Sequence, residues 1–327
     1  MSIGVKIKGI GYYLPEKVLD NEYFEKIVDT SDEWITTRTG IKERRMVDPK
    51  ESTSDLSIRA SKIALEDAGI SPEDIDMVIH HSVTPDMIYP GTSCIIQNAL
   101  GIKNAGTVDT QAGCTGFIYA LSMGYAYIKA GMYKNVLVAA GDCLTRVTDY
   151  EDRGTCVLFG DGAGAFVLSA TDGEDSFKSF YLGGDGNYAD FIYQPSSGSK
   201  MPPTHEALDN RMQYLKMAGQ NTFKLAVTKM RNSAKHVLKE AGISHEEIDW
   251  IIPHQANIRI IDSVAKFLKA PEEKVIKTIH KFGNTSATTI PIAFADSVKE
   301  GKIKRGDKIV FVAFGAGATW GATLFEY

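Results

Sequence analysis

AGISPEDIDMVIHH, residues 68–81, returns as AGISHEEIDWIIPH, residues 241–254, with nine of fourteen positions identical and no gap. Unrelated segments of ordinary composition share about one such position. Each copy opens on a glycine placed to cap a preceding helix, passes through a short polar turn, becomes an apolar strand and ends on a histidine, so His81 and His254 hold equivalent positions. Before the second copy, Phe223, Val227, Met230, Ala234 and Val237 recur at helical spacing. Strand-like and helical runs alternate along the whole chain (VKIKGIGYYL, SDLSIRASKIALEDAG, IDMVIHHSV, GTVDTQ, NVLVAAG, AGAFVLS). That alternation predicts a layered α/β fold with a largely parallel buried sheet. The repeating unit is half the chain, which divides it into residues 1–170 and 171–327 and predicts two similar halves related by a pseudo-twofold.

A fainter match extends the repeat. GCTGFIYALSMGYAYIKAG (113–131) lies over GNTSATTIPIAFADSVKEG (283–301), and VLVAAG (136–141) then lies over VFVAFG (310–315) at nearly the same offset. Cys114 and Asn284 thereby share a position, as do Gly164-Ala165 and Gly321-Ala322. The first half carries an extra loop, 142–159, and residues 185–218 read as an irregular insertion. Three residues able to do chemistry, Cys114, His254 and Asn284, therefore stand at corresponding element ends, which a pseudo-twofold would gather into one site.

Composition narrows the function. The 327 residues include 36 basic and 41 acidic side chains, a net charge of −5, with 43% hydrophobic and 24% charged residues. This is a globular mixture without a chain-wide attraction to nucleic acid or anionic membranes. The uncharged stretches 113–128 and 309–325 are shorter than the ~18 residues of a membrane span. The start MSIGVKIKGIG lacks a signal-like apolar run, so a cytoplasmic, reducing setting is expected. Cys94, Cys114, Cys143 and Cys156 form no C-x-x-C pair, which argues against zinc, redox exchange and a disulfide scaffold. GDGAG (160–164) and GGDG (183–186) match neither phosphate-loop pattern.

Cys114 follows a predicted strand, 105–110, and opens an uncharged helix, where the helix dipole favours thiolate. An arbitrary cysteine is more often a small buried hydrophobe, the reading kept for the other three. An isolated histidine is more often a hydrogen-bonded polar group, and an asparagine in Gly-Asn-Thr more often a turn residue or cap. A cysteine with histidine and asparagine fits either a thiol hydrolase or acyl transfer through a thioester, and spacing alone leaves both open.

Over essentially its whole length the chain resembles the β-ketoacyl-acyl carrier protein synthase III family of the thiolase superfamily. The motifs are DEWITTRTGIKERR (32–45), DTQAGCTGF (109–117), PHQAN (253–257), FGNTSA (282–287) and FGAGATWG (314–321). The resemblance implies a thiolase-like fold of five α-β-α-β-α layers and a homodimer formed through the central sheet. It implies that Cys114 takes the acyl group from a short acyl-CoA, with acetyl-CoA expected. Malonyl-acyl carrier protein is then decarboxylated, with His254 and Asn284 binding the thioester carbonyl. The backbone N–H groups of Cys114 and Ala316 would hold the oxyanion, although several family members have glycine at the latter position. Trp34, Arg38 and Arg153 would contact CoA; Arg259, Lys266 and Lys269 would dock the acidic carrier protein. Tyr89 would line the partner's acyl pocket, where the family often has phenylalanine, a departure that bears on the choice of primer chain. No metal or redox cofactor is implied. Rival readings are a type III polyketide synthase, which extends with malonyl-CoA, and a non-catalytic chain-length partner subunit, which usually lacks the nucleophile.

Overall fold

Residues 3–327 are described by the structure, a computed structural model. The first half runs through β1 (Ile3–Tyr13), β2 (Lys17–Asp20), the helices α1 (Asn21–Glu25) and α2 (Asp32–Thr39), β3 (Glu43–Met46), α3 (Thr53–Ala68), β4 (Met77–His81), α4 (Thr92–Ala99), β5 (Gly106–Thr110), α5 (Gly116–Lys129), β6 (Asn135–Cys143), α6 (Arg153–Cys156) and β7 (Asp161–Asp172). The second continues with β8 (Phe177–Gly184), β9 (Ile192–Tyr193), α7 (His205–Asp209), β10 (Lys216–Met217), α8 (Gly219–Ala241), β11 (Trp250–Pro253), α9 (Ile258–Phe267), α10 (Ile279–Phe282), α11 (Thr289–Lys299), β12 (Lys308–Gly315) and β13 (Thr319–Glu326).

The repeat of the sequence is a repeat of the fold. One sheet has the order β1-β7-β6-β4-β5 and the other, read in the same sense, β8-β13-β12-β11. Pairing directions agree throughout: β1/β7 and β6/β7 are antiparallel like β8/β13 and β12/β13, and β4/β6 is parallel like β11/β12. The second sheet lacks a full counterpart of β5, but a lone parallel bridge between Ile251 and Val275 stands in its place. Gly69 and Gly242 end α3 and α8 in the left-handed region, at φ 63° and 65°. Each chain then makes a single turn into the buried strand that ends before or at its histidine.

The apolar pattern of these elements fixes five layers. Helices α5 and α11 lie between the sheets, around a core in which Phe117, Phe166, Phe294, Phe311 and Phe325 are fully buried. Helix α3 with α4 covers the outer face of the first sheet, and α8 with α9 that of the second. A central helix has no solvent face, which is why α5 and α11 are nearly free of charge in the sequence.

Some boundaries move. Strand β7 runs to Asp172 and β8 already belongs to the second sheet, so the chain changes halves a few residues beyond 170. The extra loop begins only after Cys143, because β6 pairs with β7 through Asp142 and Cys143. The segment 185–218 holds little regular structure beyond the β9/β10 pair, the short α7 and a single turn at Gly186–Tyr188, as its lack of periodicity predicts. Arg211 fastens it to the extra loop, donating to Asp149, at Nε distances of 3.2 and 3.1 Å, and to Glu151. Among the described residues no helix is long and apolar enough to cross a membrane.

Candidate active site

A cavity of about 1280 Å³ opens where corresponding ends of the two halves meet, and Cys114, His254, Asn284 and Ala316 all line it. The juxtaposition expected from the repeat is present.

Cys114 sits in a single turn, Gly113–Thr115, that leads into α5. Gly113 has φ +53°, and the main chain of Ala316 passes so close that a Cβ on Gly113 would meet the Ala316 nitrogen at 2.4 Å. From the other side a Cβ on Gly315 would meet the Cys114 nitrogen at 2.3 Å. The two proposed oxyanion donors are therefore held side by side by glycines at which no side chain fits. Thr319 fixes this contact, its hydroxyl donating to the Ala112 carbonyl at 2.7 Å.

Burial pushes Cys114 up to about 12, and the nearby Asp142 carboxylate adds to the rise. The helix terminus favours thiolate, while burial of the sulfur acts in the opposite direction and favours the thiol. Removal from water disfavours the anion more than one helix turn of oriented N–H groups favours it.

His254 follows β11, its backbone N–H donating to the Val312 carbonyl at 2.8 Å. Its Nδ1 is 2.7 Å from the Thr289 hydroxyl at the start of α11. Burial pushes its pKa down to about 3, so the ring is neutral. Gln255 braces the strand end: its side chain donates to the Pro253 and Ile276 carbonyls and accepts from the N–H groups of Thr278 and Ile279.

Asn284 is buried in the turn after Gly283 (φ +64°). Its backbone N–H donates to the Leu158 carbonyl, and its own carbonyl accepts from Gly160, so the extra loop and the turn hold each other. The side-chain Oδ1 accepts the Ser286 N–H at 2.9 Å. This leaves the NH₂ end as the group to be offered to a ligand.

His81, the repeat mate of His254, is fully buried in the first half. Its ring lies under Gly116, where a Cβ would come within 1.9 Å of it, and its Nε2 is buried without a partner. Cys143 and Cys156 are buried as expected, but Cys94 is exposed, with its sulfur 3.2 Å from the Thr107 hydroxyl. It stands on α4 beside β5, at the uncovered edge of the first sheet, so the packing reading fails for it in a single chain. Among the described residues no three His, Cys, Asp or Glu side chains gather as a metal site.

Trp34 on α2 is flanked by two guanidinium groups, Arg38 at 5.2 Å and Arg153 of α6 at 4.5 Å from the ring. Asn257 caps α9 by accepting the Arg259 N–H and donates its amide to the Arg38 carbonyl, tying this cluster to the cavity wall. Arg259, Lys266 and Lys269 are exposed on and just after α9. The structure adds α8 to this face: Arg231 lies 4.2 Å from the Phe267 ring, Arg259 lies 5.5 Å from the Phe223 ring, and Lys224, next to Phe223, is exposed. The α8 cations were missed because their helix reads from sequence as an ordinary solvated face. Tyr89 is 83% exposed and Ile88 80%, while Met87 and Ile88 also line the cavity.

Comparisons with known proteins agree with this geometry. Residues 108–186 match the family model of 3-oxoacyl-[acyl-carrier-protein] synthase III, and residues 238–327 match that of its C-terminal part. The chain is 49% identical over 325 residues, 99% of its length and 98% of the relative's, to a β-ketoacyl-[acyl-carrier-protein] synthase III of Caldanaerobacter subterraneus. It is also 49% identical over 322 residues to one of Aliarcobacter butzleri, covering 98% and 97% of the two chains. The crystal structure of 3-oxoacyl-[acyl-carrier-protein] synthase III from Aquifex aeolicus superposes with a TM-score of 0.92 at 45% identity, over 99% of this chain and 100% of that one. Two thiolase-like halves meeting at a cysteine, a histidine and an asparagine, with full-length relatives of this identity, place the chain in the 3-oxoacyl-[acyl-carrier-protein] synthase III family.

Proposed function

We propose that this chain joins a short acyl-CoA, with acetyl-CoA the expected primer, to malonyl-acyl carrier protein, the initiating condensation of fatty acid synthesis. The observation that carries the reading is the convergence of Cys114, His254, Asn284 and two backbone nitrogens on one cavity. The Cys114 sulfur attacks the acyl thioester, its proton passing to the departing CoA thiolate. The Cys114 and Ala316 N–H groups hold the negative oxygen meanwhile. The malonyl thioester then loses CO₂, and the electrons of the broken C–C bond form an enolate whose oxygen lies between His254 and the Asn284 amide. The enolate carbon attacks the acyl-cysteine, and the Cys114 sulfur leaves, giving 3-oxoacyl-carrier protein. A neutral histidine suits this role, since it donates a hydrogen bond without being a proton source.

Trp34, Arg38 and Arg153 form the CoA clamp, an aromatic face with a guanidinium on each side. Arg259, Lys266 and Lys269, joined by Lys224 and Arg231, form the carrier-protein face. The chain works as a homodimer paired through β5, an edge strand flanked by exposed Ile88 and Tyr89. Tyr89 would then enter the partner's acyl pocket. The reaction needs no metal or redox cofactor, and a cytoplasmic location suits its substrates.

The test is intact-mass measurement of acyl loading across a panel of acyl-CoAs, followed by condensation with carrier-bound or CoA-bound malonate. The reading expects loading that Cys114→Ala abolishes, and condensation with the carrier-bound extender. Acylation of Cys114→Ala, or turnover with malonyl-CoA alone, would overturn it.

A further inference from the structure

We propose that Thr289 is a positioning residue that fixes the imidazole of His254 as the Nε2–H tautomer, turning its donor toward the cavity. The inference rests on the role given to His254 above.

The argument is an accounting of hydrogens. Thr289 and His254 are each 3% exposed, so water does not substitute for missing partners. The Thr289 oxygen already accepts the backbone N–H of Gln255, at 3.3 Å. Its own O–H hydrogen has one acceptor within reach among the described residues, the Nδ1 of His254 at 2.7 Å. A hydroxyl carries a single hydrogen, and a neutral imidazole carries one N–H and one lone pair. If Nδ1 held the proton, two N–H groups would crowd onto the Thr289 oxygen and the hydroxyl hydrogen would be buried without an acceptor, at a cost of roughly 1–3 kcal/mol. With Thr289 donating to Nδ1, every hydrogen has a place and the ring proton is on Nε2.

The consequence falls on the developing enolate. Because the Asn284 Oδ1 is occupied by Ser286, Asn284 offers its NH₂. With Nε2–H, His254 offers a second donor to the same oxygen; the other tautomer would offer a lone pair, which repels it. His81 provides the contrast within the chain: its Nδ1 is a long 3.4 Å from the Thr110 hydroxyl and its Nε2 is sealed without a partner. The two halves share the histidine, but only the second has the short threonine contact and an opening to the cavity.

The experiment combines ¹⁵N-histidine spectra with single-turnover rates for the wild type, Thr289→Ser and Thr289→Val. The His254 signals are identified by their loss in His254→Ala. Expected are an Nε2–H pattern in the wild type and Thr289→Ser, and loss of that single pattern in Thr289→Val, whose methyl groups give Nδ1 neither donor nor acceptor and leave the ring unanchored. Malonyl decarboxylation should fall about 100-fold in Thr289→Val and stay within about threefold in Thr289→Ser, with Cys114 loading unchanged in both. An Nδ1–H pattern in the wild type would overturn the proposal, and so would a slow Thr289→Val that keeps Nε2–H. If Thr289→Val fails to fold, the wild-type spectrum and the Thr289→Ser rate still decide. Full decarboxylation by His254→Ala would instead overturn the role given to His254, a failure that the spectra distinguish from failure of the tautomer assignment.

Discussion

A Cβ on Gly113 would stand 2.4 Å from the backbone nitrogen of Ala316, so the two halves of the chain touch, backbone to backbone, beside the nucleophile. Gly113→Ala must push Ala316 away and also strain a residue at φ +53°. Acyl transfer to Cys114 should fall at least 100-fold, with a stability loss of about 1–3 kcal/mol. Intact-mass loading rates and chemical denaturation check both; normal loading would remove the oxyanion role from this contact.

Burial pushes the Cys114 thiol up to about 12, which predicts a protonated sulfur at neutral pH. Alkylation by iodoacetamide should be slow at pH 7 and rise about tenfold per pH unit, with no plateau below pH 9. A plateau near pH 7 would mean that the helix terminus outweighs burial after all.

His254 and His81 are both pushed down to about 3 by burial, from 6.5 in the unfolded chain. Below pH 6.5 the unfolded chain takes up protons that the folded one refuses. The stability that these residues contribute is therefore complete above pH 6.5 and is lost as pH falls toward 3, by roughly 1.4 kcal/mol per unit for each. Asp161 works the other way: burial raises it to about 6, and its protonation below that pH relieves a cost. In an Asp161→Asn background, urea denaturation should show stability falling from pH 6.5 to 5, with the buried histidines outweighing the opposite contribution of the buried Asp142 carboxyl, which burial also raises. A flat profile there would mean that the rings accept protons in the fold.

Arg259→Glu should raise the KM for malonyl-carrier protein about tenfold and leave transacylation from CoA unchanged, since charge at an exposed rim acts mainly on association. Arg231→Glu on α8 should do the same if the two helices form one docking face. Equal losses in both half-reactions would refute the assignment.

The paired Ala-Gly-Ile-Ser segments, read alone, lead to the two sheets, their matching strand directions and the capped helices before each. Such features follow from local periodicity and glycine conformation, which every residue carries with it. The repeat also brings Cys114 and Asn284 into register, because pseudo-symmetry converts sequence equivalence into spatial proximity. Other properties arise only when distant segments close on one another. The protonation of Cys114 depends on how far the closed fold removes its sulfur from water. The proton on His254 depends on Thr289, 35 residues away. The basic face is shared between α8 and α9, which no single helix reveals, and Cys94 is left exposed because β5 ends its sheet. The sequence alone thus determined the architecture and which residues meet. Desolvation and contacts across chain distance, which exist only in the folded molecule, decided their protonation and which hydrogen-bond donors face the cavity.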